Sequence, residues 1–183
     1  MENKNEFAIE LVFDAPRELI WQALTDPGML KQWWGPNNVA IPEVEIDLRV
    51  GGKFYIVMEA GEAMGQYKGT KWPMLAEFTV VVPNSNLSYN AQAWTEGQKE
   101  ETMIEQTTEL TLTEENNPPS SRQGGTTDGR SKTKLKLVAT VHKVGLGLGA
   151  QMAVQGMQGG LTQQLDKLNN FLAGRKHETD QNR

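Results

Sequence analysis

The stretch Val154–Leu172, VQGMQGGLTQQLDKLNNFL, decides the fold. Its apolar residues Val154, Met157, Leu161, Leu165, Leu168 and Leu172 recur at spacings of three and four. That is one face of an α-helix of about six turns. Gly174 suits a C-terminal cap, which makes Arg175–Arg183 a solvated tail. A helix with a single apolar stripe must lie on something. What precedes it is almost all strand.

Upstream, Leu135, Leu137, Ala139 and Val141 alternate with other residues, the period of a half-buried strand. The run Asn116–Lys132 has no apolar residue, so it buries nothing to offset its ordering entropy. It reads as a flexible hairpin loop, because alternation resumes directly after it. Further strands are Thr107–Glu114, Leu87–Trp94 after the turn Pro83–Asn86, and an extended run ending at Val82. Trp72-Pro73 interrupts that run, which predicts an edge position or a bulge. In Lys53–Glu59, Phe54, Ile56 and Met58 share a face; Gly51-Gly52 makes a tight turn back to Val44, Ile46 and Leu48. At the other end Phe7–Phe13 alternates, and Pro16 and Pro27 each open a short helix. The second helix runs to Trp33-Trp34 and stops at Gly35-Pro36.

The order predicts an α+β fold of the helix-grip kind. A curved antiparallel sheet wraps a long C-terminal helix, with two short helices after the first strand and a cavity between sheet and long helix. One domain spans residues 7–174, with 116–132 as a polar insert and residues 1–6 and 175–183 as polar tails.

Composition narrows the function classes. The 183 residues include 18 Lys or Arg against 23 Asp or Glu, a net charge of −5, and show no basic stripe. Phosphate neutralisation needs clustered cations, so nucleic acid is not an expected partner. With no cysteine, disulfides, thiolate nucleophiles and Cys-ligated metals are excluded. Two histidines, His142 and His177, are too few for a histidine metal site. No apolar run approaches the roughly 20 residues of a membrane span. The polar start, Met1 to Glu6, lacks the apolar core of a signal peptide. We therefore expect a cytoplasmic protein, with no cofactor and no metal.

Particular words in the chain resemble a known family. They are Trp21-Gln22-Ala23-Leu24-Thr25-Asp26-Pro27, Leu30-Lys31-Gln32-Trp33-Trp34-Gly35-Pro36, Glu45-Ile46-Asp47-Leu48-Arg49-Val50-Gly51-Gly52-Lys53-Phe54 and Val81-Val82-Pro83-Asn84-Ser85-Asn86-Leu87-Ser88-Tyr89. With the closing helix, this pattern resembles the activator of heat shock protein 90 ATPase homologue-like family of the SRPBCC, or START-like, superfamily. The resemblance spans roughly Phe7 to Ala173; the insert at Asn116–Lys132 and the extra glycines before the last helix depart from it. It implies a helix-grip fold with a central cavity. Related families bind lipids, sterols or plant hormones, and some catalyse cyclisations. Chaperone-activating members usually carry a further N-terminal domain, which is not expected here.

Several residues invite a chemical reading. Glu43, Glu45 and Asp47 oppose Val44, Ile46 and Leu48, so they read as a solvated face before a carboxylate pair. His142 opposes the apolar face of its strand and reads as exposed. Gly145-Leu146-Gly147-Leu148-Gly149-Ala150 fits a dinucleotide pattern superficially, but no second parallel strand follows, so it reads as a glycine hinge. The apolar set is richer: Trp33, Trp34, Phe54, Ile56, Met58, Tyr67, Phe78, Tyr89, Met152 and Met157 as ligand contacts, with Trp72 and Trp94 beside them. Methionines adapt to varied ligands. Arg49, and Glu59 with it, could orient a ligand; an ordinary surface ion pair is the plain alternative for Arg49.

The expected function is binding of a small apolar or amphipathic ligand. A chaperone-associated interaction module is the second reading, and a cavity-based cyclase or hydrolase the third, although no catalytic residue stands out. The sequence leaves a chaperone partner and a homodimer open.

Overall fold

The computed structural model describes residues 5–98, 101–115 and 131–181, with backbone alone for 176–181. Seven strands form one antiparallel sheet: β1 Asn5–Phe13, β2 Val39–Ile46, β3 Lys53–Ala60, β4 Lys71–Val82, β5 Asn86–Ala93, β6 Ile104–Glu115 and β7 Lys132–Val144. Their order is β1-β7-β6-β5-β4-β3-β2. Helices α1 (Arg17–Thr25) and α2 (Pro27–Trp33) follow β1, a short 3-10 segment (Glu62–Tyr67) joins β3 to β4, and α3 (Leu148–Gln181) closes the chain.

One face of the sheet is apolar along every strand, as alternation demands. It carries Phe13, Phe54, Ile56, Met74, Phe78, Leu87, Leu110, Leu135 and Leu137, all buried. Leu165, Leu168 and Leu172 of α3 pack into the same core, with Ile20, Leu24, Leu30 and Trp33 from the short helices. Asp26 starts α2 by accepting the Met29 amide at 2.8 Å, with Pro27 following. The buried Trp33 indole N–H donates to the Ala23 carbonyl, and the Thr133 hydroxyl donates to Ala15, tying α1 to α2 and to β7.

Some local expectations are corrected. β4 is an interior strand, although it contains Pro73. Pro73 pairs with Val57 on β3, one residue beyond the last β4–β5 pair, Met74 with Ala93. Its missing N–H therefore costs no ladder bond, while its carbonyl accepts from Trp94 at 3.1 Å. The register shift of β4 falls further on, between Phe78 and Val80.

Gly51-Gly52 is the end of a wider loop, 47–52, and not a two-residue turn. A Cβ on Gly52 would lie 2.0 Å from the Asp47 carbonyl oxygen, so only glycine fits. Leu48 sits in this loop and is exposed, off the face it was expected to share with Val44 and Ile46.

Helix α3 is longer at both ends than its apolar period suggests. It begins at Leu148 and continues through Gly174, so the expected cap and tail are helical to Gln181. One turn beyond Phe171, Arg175 lies over its ring at 5.1 Å and reaches Met29 Sδ at 3.9 Å, carrying the helix past the glycine. The polar insert joins β6 to β7, where Glu115 pairs with Lys132, as a hairpin loop should. Its own conformation, 116–130, lies outside the described residues.

Candidate functional site

The inner face of the sheet meets α3 over an aromatic floor. Trp34 follows α2, Phe54 lies on β3, Phe78 on β4 and Tyr89 on β5, and their side chains alternate inward with the strand period. Trp33 and Trp34 have ring centroids 5.5 Å apart, and Trp34 meets Phe54 edge-on at 5.5 Å. Phe54 stacks with Phe78 at 6.1 Å, and Tyr89 sets its edge against both, at 5.7 and 6.1 Å. These are the separations at which aromatic quadrupoles attract. Ile56 is buried beside them.

Burial pushes the Tyr89 phenol up to about 12, a side-chain hydrogen bond with Thr108 opposing the shift. Thr108 faces Tyr89 across β5 and β6, and Gln106 Nε2 donates to Thr108 Oγ1 at 3.1 Å. A short polar chain therefore sits inside an otherwise apolar wall.

The opposite wall is α3, whose two halves differ. Leu165, Leu168 and Leu172 are 2, 0 and 2 % exposed. On the same stripe, Val154, Met157 and Leu161 are only half-buried, and Met58 on β3 is likewise half-buried.

A clip separates the halves. Lys167 Nζ donates to the carbonyls of Trp34, Gly35 and Pro36 at 3.1, 3.1 and 3.4 Å, and Gln163 Oε1 accepts the Asn37 amide at 3.0 Å. Loss of solvent around Lys167 lowers its ammonium pKa below the usual lysine value. The loop after α2 is thus fastened to the middle of α3.

The structure brings Trp33, Trp34, Phe54, Ile56, Phe78 and Tyr89 together, with Met58 packed at the margin; Met157 is half-buried on α3 and is not packed against this cluster. It does not bring Arg49, Tyr67 or Met152 to them. Arg49 stands on the 47–52 loop in an exposed ion pair with Asp47 at 2.8 Å, its plain alternative. Tyr67 closes the exposed 3-10 segment, and Met152 lies on the solvent side of the first turns of α3. Glu59 alternates with Met58 and so points away from the inner face. Glu43, Glu45 and Asp47 are exposed, as expected.

Gly145 is not a free hinge. Its amide bonds the Met103 carbonyl, and a Cβ there would meet the Thr102 oxygen at 2.6 Å. Gly147 accepts the first amide bonds of α3.

His142 is exposed, and the β6–β7 register skips it, a bulge that re-aims the side chain. It borders a groove of about 630 Å³ on the outer face of the sheet, with Lys53, Leu75, Glu77, Asn90 and Gln92. There the Thr107 hydroxyl donates to Asn90 Oδ1 and lies 2.8 Å from His142 Nε2. The charges nearby are already paired, Lys53 with Glu77 and Lys143 with Glu105. An open groove on a self-neutralised face encloses little, so the inner site is the better candidate.

Sequence reasoning missed Gln106, Thr108, Gln163, Gln164 and Lys167. For Thr108 a signal existed, since it shares strand parity with Leu110 and Leu112. Gln164 likewise stands three after Leu161 and four before Leu168.

A curved antiparallel sheet gripping one long C-terminal helix, with an aromatic floor between them, defines a helix-grip protein of the START-like class. Residues 14–123 match the model of the family described as Activator of Hsp90 ATPase homolog 1-like protein, and the chain belongs to that family. Solved structures agree on the fold. A protein of Mycobacterium smegmatis matches with a TM-score of 0.67 at 23 % identity, covering 93 % of this chain and 92 % of its own. A solution structure of a protein from Arthrobacter aurescens gives 0.67 at 21 % identity, covering 92 and 86 %. The AHSA1 protein of Silicibacter pomeroyi gives 0.62 at 20 %, covering 93 and 99 %. No curated protein matches the chain in sequence. Among the described residues no helix is long and apolar enough to cross a membrane, and no group of acidic or histidine side chains is placed to hold a metal.

Proposed function

We propose that this chain is a cytoplasmic binder of a small apolar or amphipathic molecule, held between the aromatic floor and the first half of α3. One observation carries the reading: the apolar stripe of α3 is sealed at Leu165, Leu168 and Leu172 but left half-covered at Val154, Met157 and Leu161. Half-covered apolar side chains gain about 25 cal/mol for each Å² a ligand removes from water. The fold supports it, since helix-grip proteins hold ligands between sheet and helix.

The test starts with protein purified under native conditions and weighed intact, then denatured to release any passenger. A stoichiometric apolar compound, or a rise in thermal midpoint with members of a lipid and aromatic panel, is the expected result. Empty protein whose midpoint ignores the whole panel sinks the reading.

A second reading rests on a different surface. Leu146 is 99 % exposed, with Leu148 and Met152 exposed beside it at the start of α3. The family description names an Hsp90 ATPase activator, and such a patch suits a chaperone contact. Retention on immobilised Hsp90, lost in Leu146→Ser/Leu148→Ser, is the outcome this reading requires.

A further inference from the structure

Resting on the binding reading above, we infer that residues 34–38 are the gate of the inner site, with Trp34 covering the floor and Lys167 as the latch. Trp34 is 8 % exposed, while Trp33, Phe54, Phe78 and Tyr89 are 1, 3, 2 and 3 % exposed, so it is the outermost ring of the floor. It stands between Trp33 and Phe54, with ring centroids 5.5 Å from each. At this residue the backbone leaves α2, extended at φ −60° and ψ 151°, and runs on to the edge strand β2. On one side the segment is bonded to α3. Lys167 holds the carbonyls of Trp34, Gly35 and Pro36, and Gln163 holds the Asn37 amide. On the other side the Asn38 carbonyl accepts the Gly61 amide at 2.7 Å, just past the end of β3. The segment therefore bridges the long helix and the margin of the sheet, and its first ring lies on the floor.

The bonds that hold this segment are of a kind that opens. Beyond Trp34 it buries no large apolar side chain: Pro36 is half-buried, and Asn37 and Asn38 are exposed. A stretch fixed by polar bonds near solvent, with little apolar burial, lies at the low end of local stability, where binding loops and lids are found. Two residues with positive φ bracket it, Gly35 at 77° and Asn38 at 64°. Positions at the ends of elements can take up backbone rotation while the flanking elements stay rigid. Lys167 grips three consecutive carbonyls at the Trp34 end, so loss of its ammonium frees that end at once. Once Trp34 lifts away, Phe54 behind it is uncovered, and the floor is open to an entering molecule. Closure restores the edge-on contact and buries the ligand.

The chain has no cysteine, so an engineered pair can form only the intended disulfide within it. A Cβ built on Gly160 of α3 lies 4.0 Å from Pro36 Cβ, within the span of a disulfide. Pro36→Cys/Gly160→Cys, oxidised until both thiols are consumed, locks the segment onto α3, and dithiothreitol releases it. Stopped-flow mixing of the full chain with N-phenyl-1-naphthylamine, an uncharged fluorophore that brightens in apolar surroundings, reads entry and exit. We expect oxidised protein to take up the probe at least about tenfold more slowly than reduced protein and to release it more slowly by a similar factor, which keeps Kd within about twofold. A gate alters both rates and leaves the equilibrium; a staple that merely distorts the floor alters Kd. Lys167→Met, first shown to melt cooperatively, should quicken uptake and release by about two- to tenfold. Equal uptake by oxidised and reduced protein, or unchanged rates in Lys167→Met, overturns the inference and leaves the binding reading intact. Wild-type protein that takes up none of the probe removes the binding reading for apolar ligands of this size, and the gate falls with it.

Discussion

The two halves of α3 are one continuous helix in two different environments. From Leu161 on, the helix presents Leu165, Leu168 and Leu172 to a packed core and is fastened to the loop after α2 by Gln163 and Lys167. Up to Leu161 it carries Gly149, Gly156, Gly159 and Gly160; Ala150 is buried, whereas Val154, Met157 and Leu161 are half-covered. The contrast is one of packing: the second half is sealed into the core, and in the first half Val154 and Met157 stay half-covered. Helix propensity alone would not produce this division, since most helical stability in proteins comes from packing of the apolar face.

The sharpest way to break the comparison is to truncate matching residues in each half. Leu168→Ala should cost about 3–4 kcal/mol, the range for a fully buried leucine in a core that relaxes only partly. Met157→Ala should cost about 1 kcal/mol or less, because its half-exposed side chain has little packing to lose. Denaturant titration of both variants gives the two values. Similar losses would mean that the halves are packed alike.

The aromatic floor can be tested through Tyr89. Its pKa is raised from 10.0 to about 12, so the folded state favours the neutral phenol. The stability this represents is fully present below the unfolded value near 10 and is lost as pH rises from there through the folded value. The loss should reach about 2–3 kcal/mol, following the size of the shift. Urea melts between pH 9 and 12, compared with Tyr89→Phe, isolate the term. A wild-type curve that parallels the phenylalanine variant would show that water reaches the floor and that the site is open throughout.

The clip should be the next largest effect. Lys167→Met keeps the aliphatic stem but removes three hydrogen bonds to the carbonyls of Trp34, Gly35 and Pro36, and should cost about 1–2 kcal/mol. Amide hydrogen exchange should quicken around Asn37, whose N–H bonds Gln163, more than around Leu172. Uniform acceleration along α3 would mean that the clip does not separate the halves.

How much of this was legible in the sequence follows the same division. Strand parity placed Phe54 and Ile56 on one face, and the spacing of Leu165, Leu168 and Leu172 gave the sealed half of α3, because buried periodic elements leave a regular pattern; Phe78 and Tyr89 were named for their aromatic rings, and the register shows that they share that face. Arg49 was offered as a ligand contact beside an inward-facing run and Tyr67 as one of the aromatics, yet they sit in a loop and a 3-10 segment, where no period constrains direction. Pro73 looked like an edge marker because the sequence does not show where β5 stops pairing. Lys167 was invisible for another reason. Its partners are backbone carbonyls of a loop 133 to 131 positions away, and a carbonyl carries no residue-type signal.

The smallest effect bears most directly on function. Gly156 and Gly159 lie in the half-covered part of α3, and a methyl group added at either meets nothing within 4 Å. Gly156→Ala and Gly159→Ala should therefore each stabilise the protein by about 0.5–1 kcal/mol, through helix propensity and a less flexible unfolded chain. If the first half of α3 must shift for a ligand to pass, the double variant should also slow association in stopped-flow mixing while leaving Leu168 and its surroundings unchanged. The stability gain and the rate loss would then arise from the same two methyl groups. A gain in stability with unaltered association would locate the passage elsewhere and leave the glycines without a part in binding. A loss of stability would show that this half packs against the sheet more closely than its exposed residues indicate, which removes the contrast between the two halves.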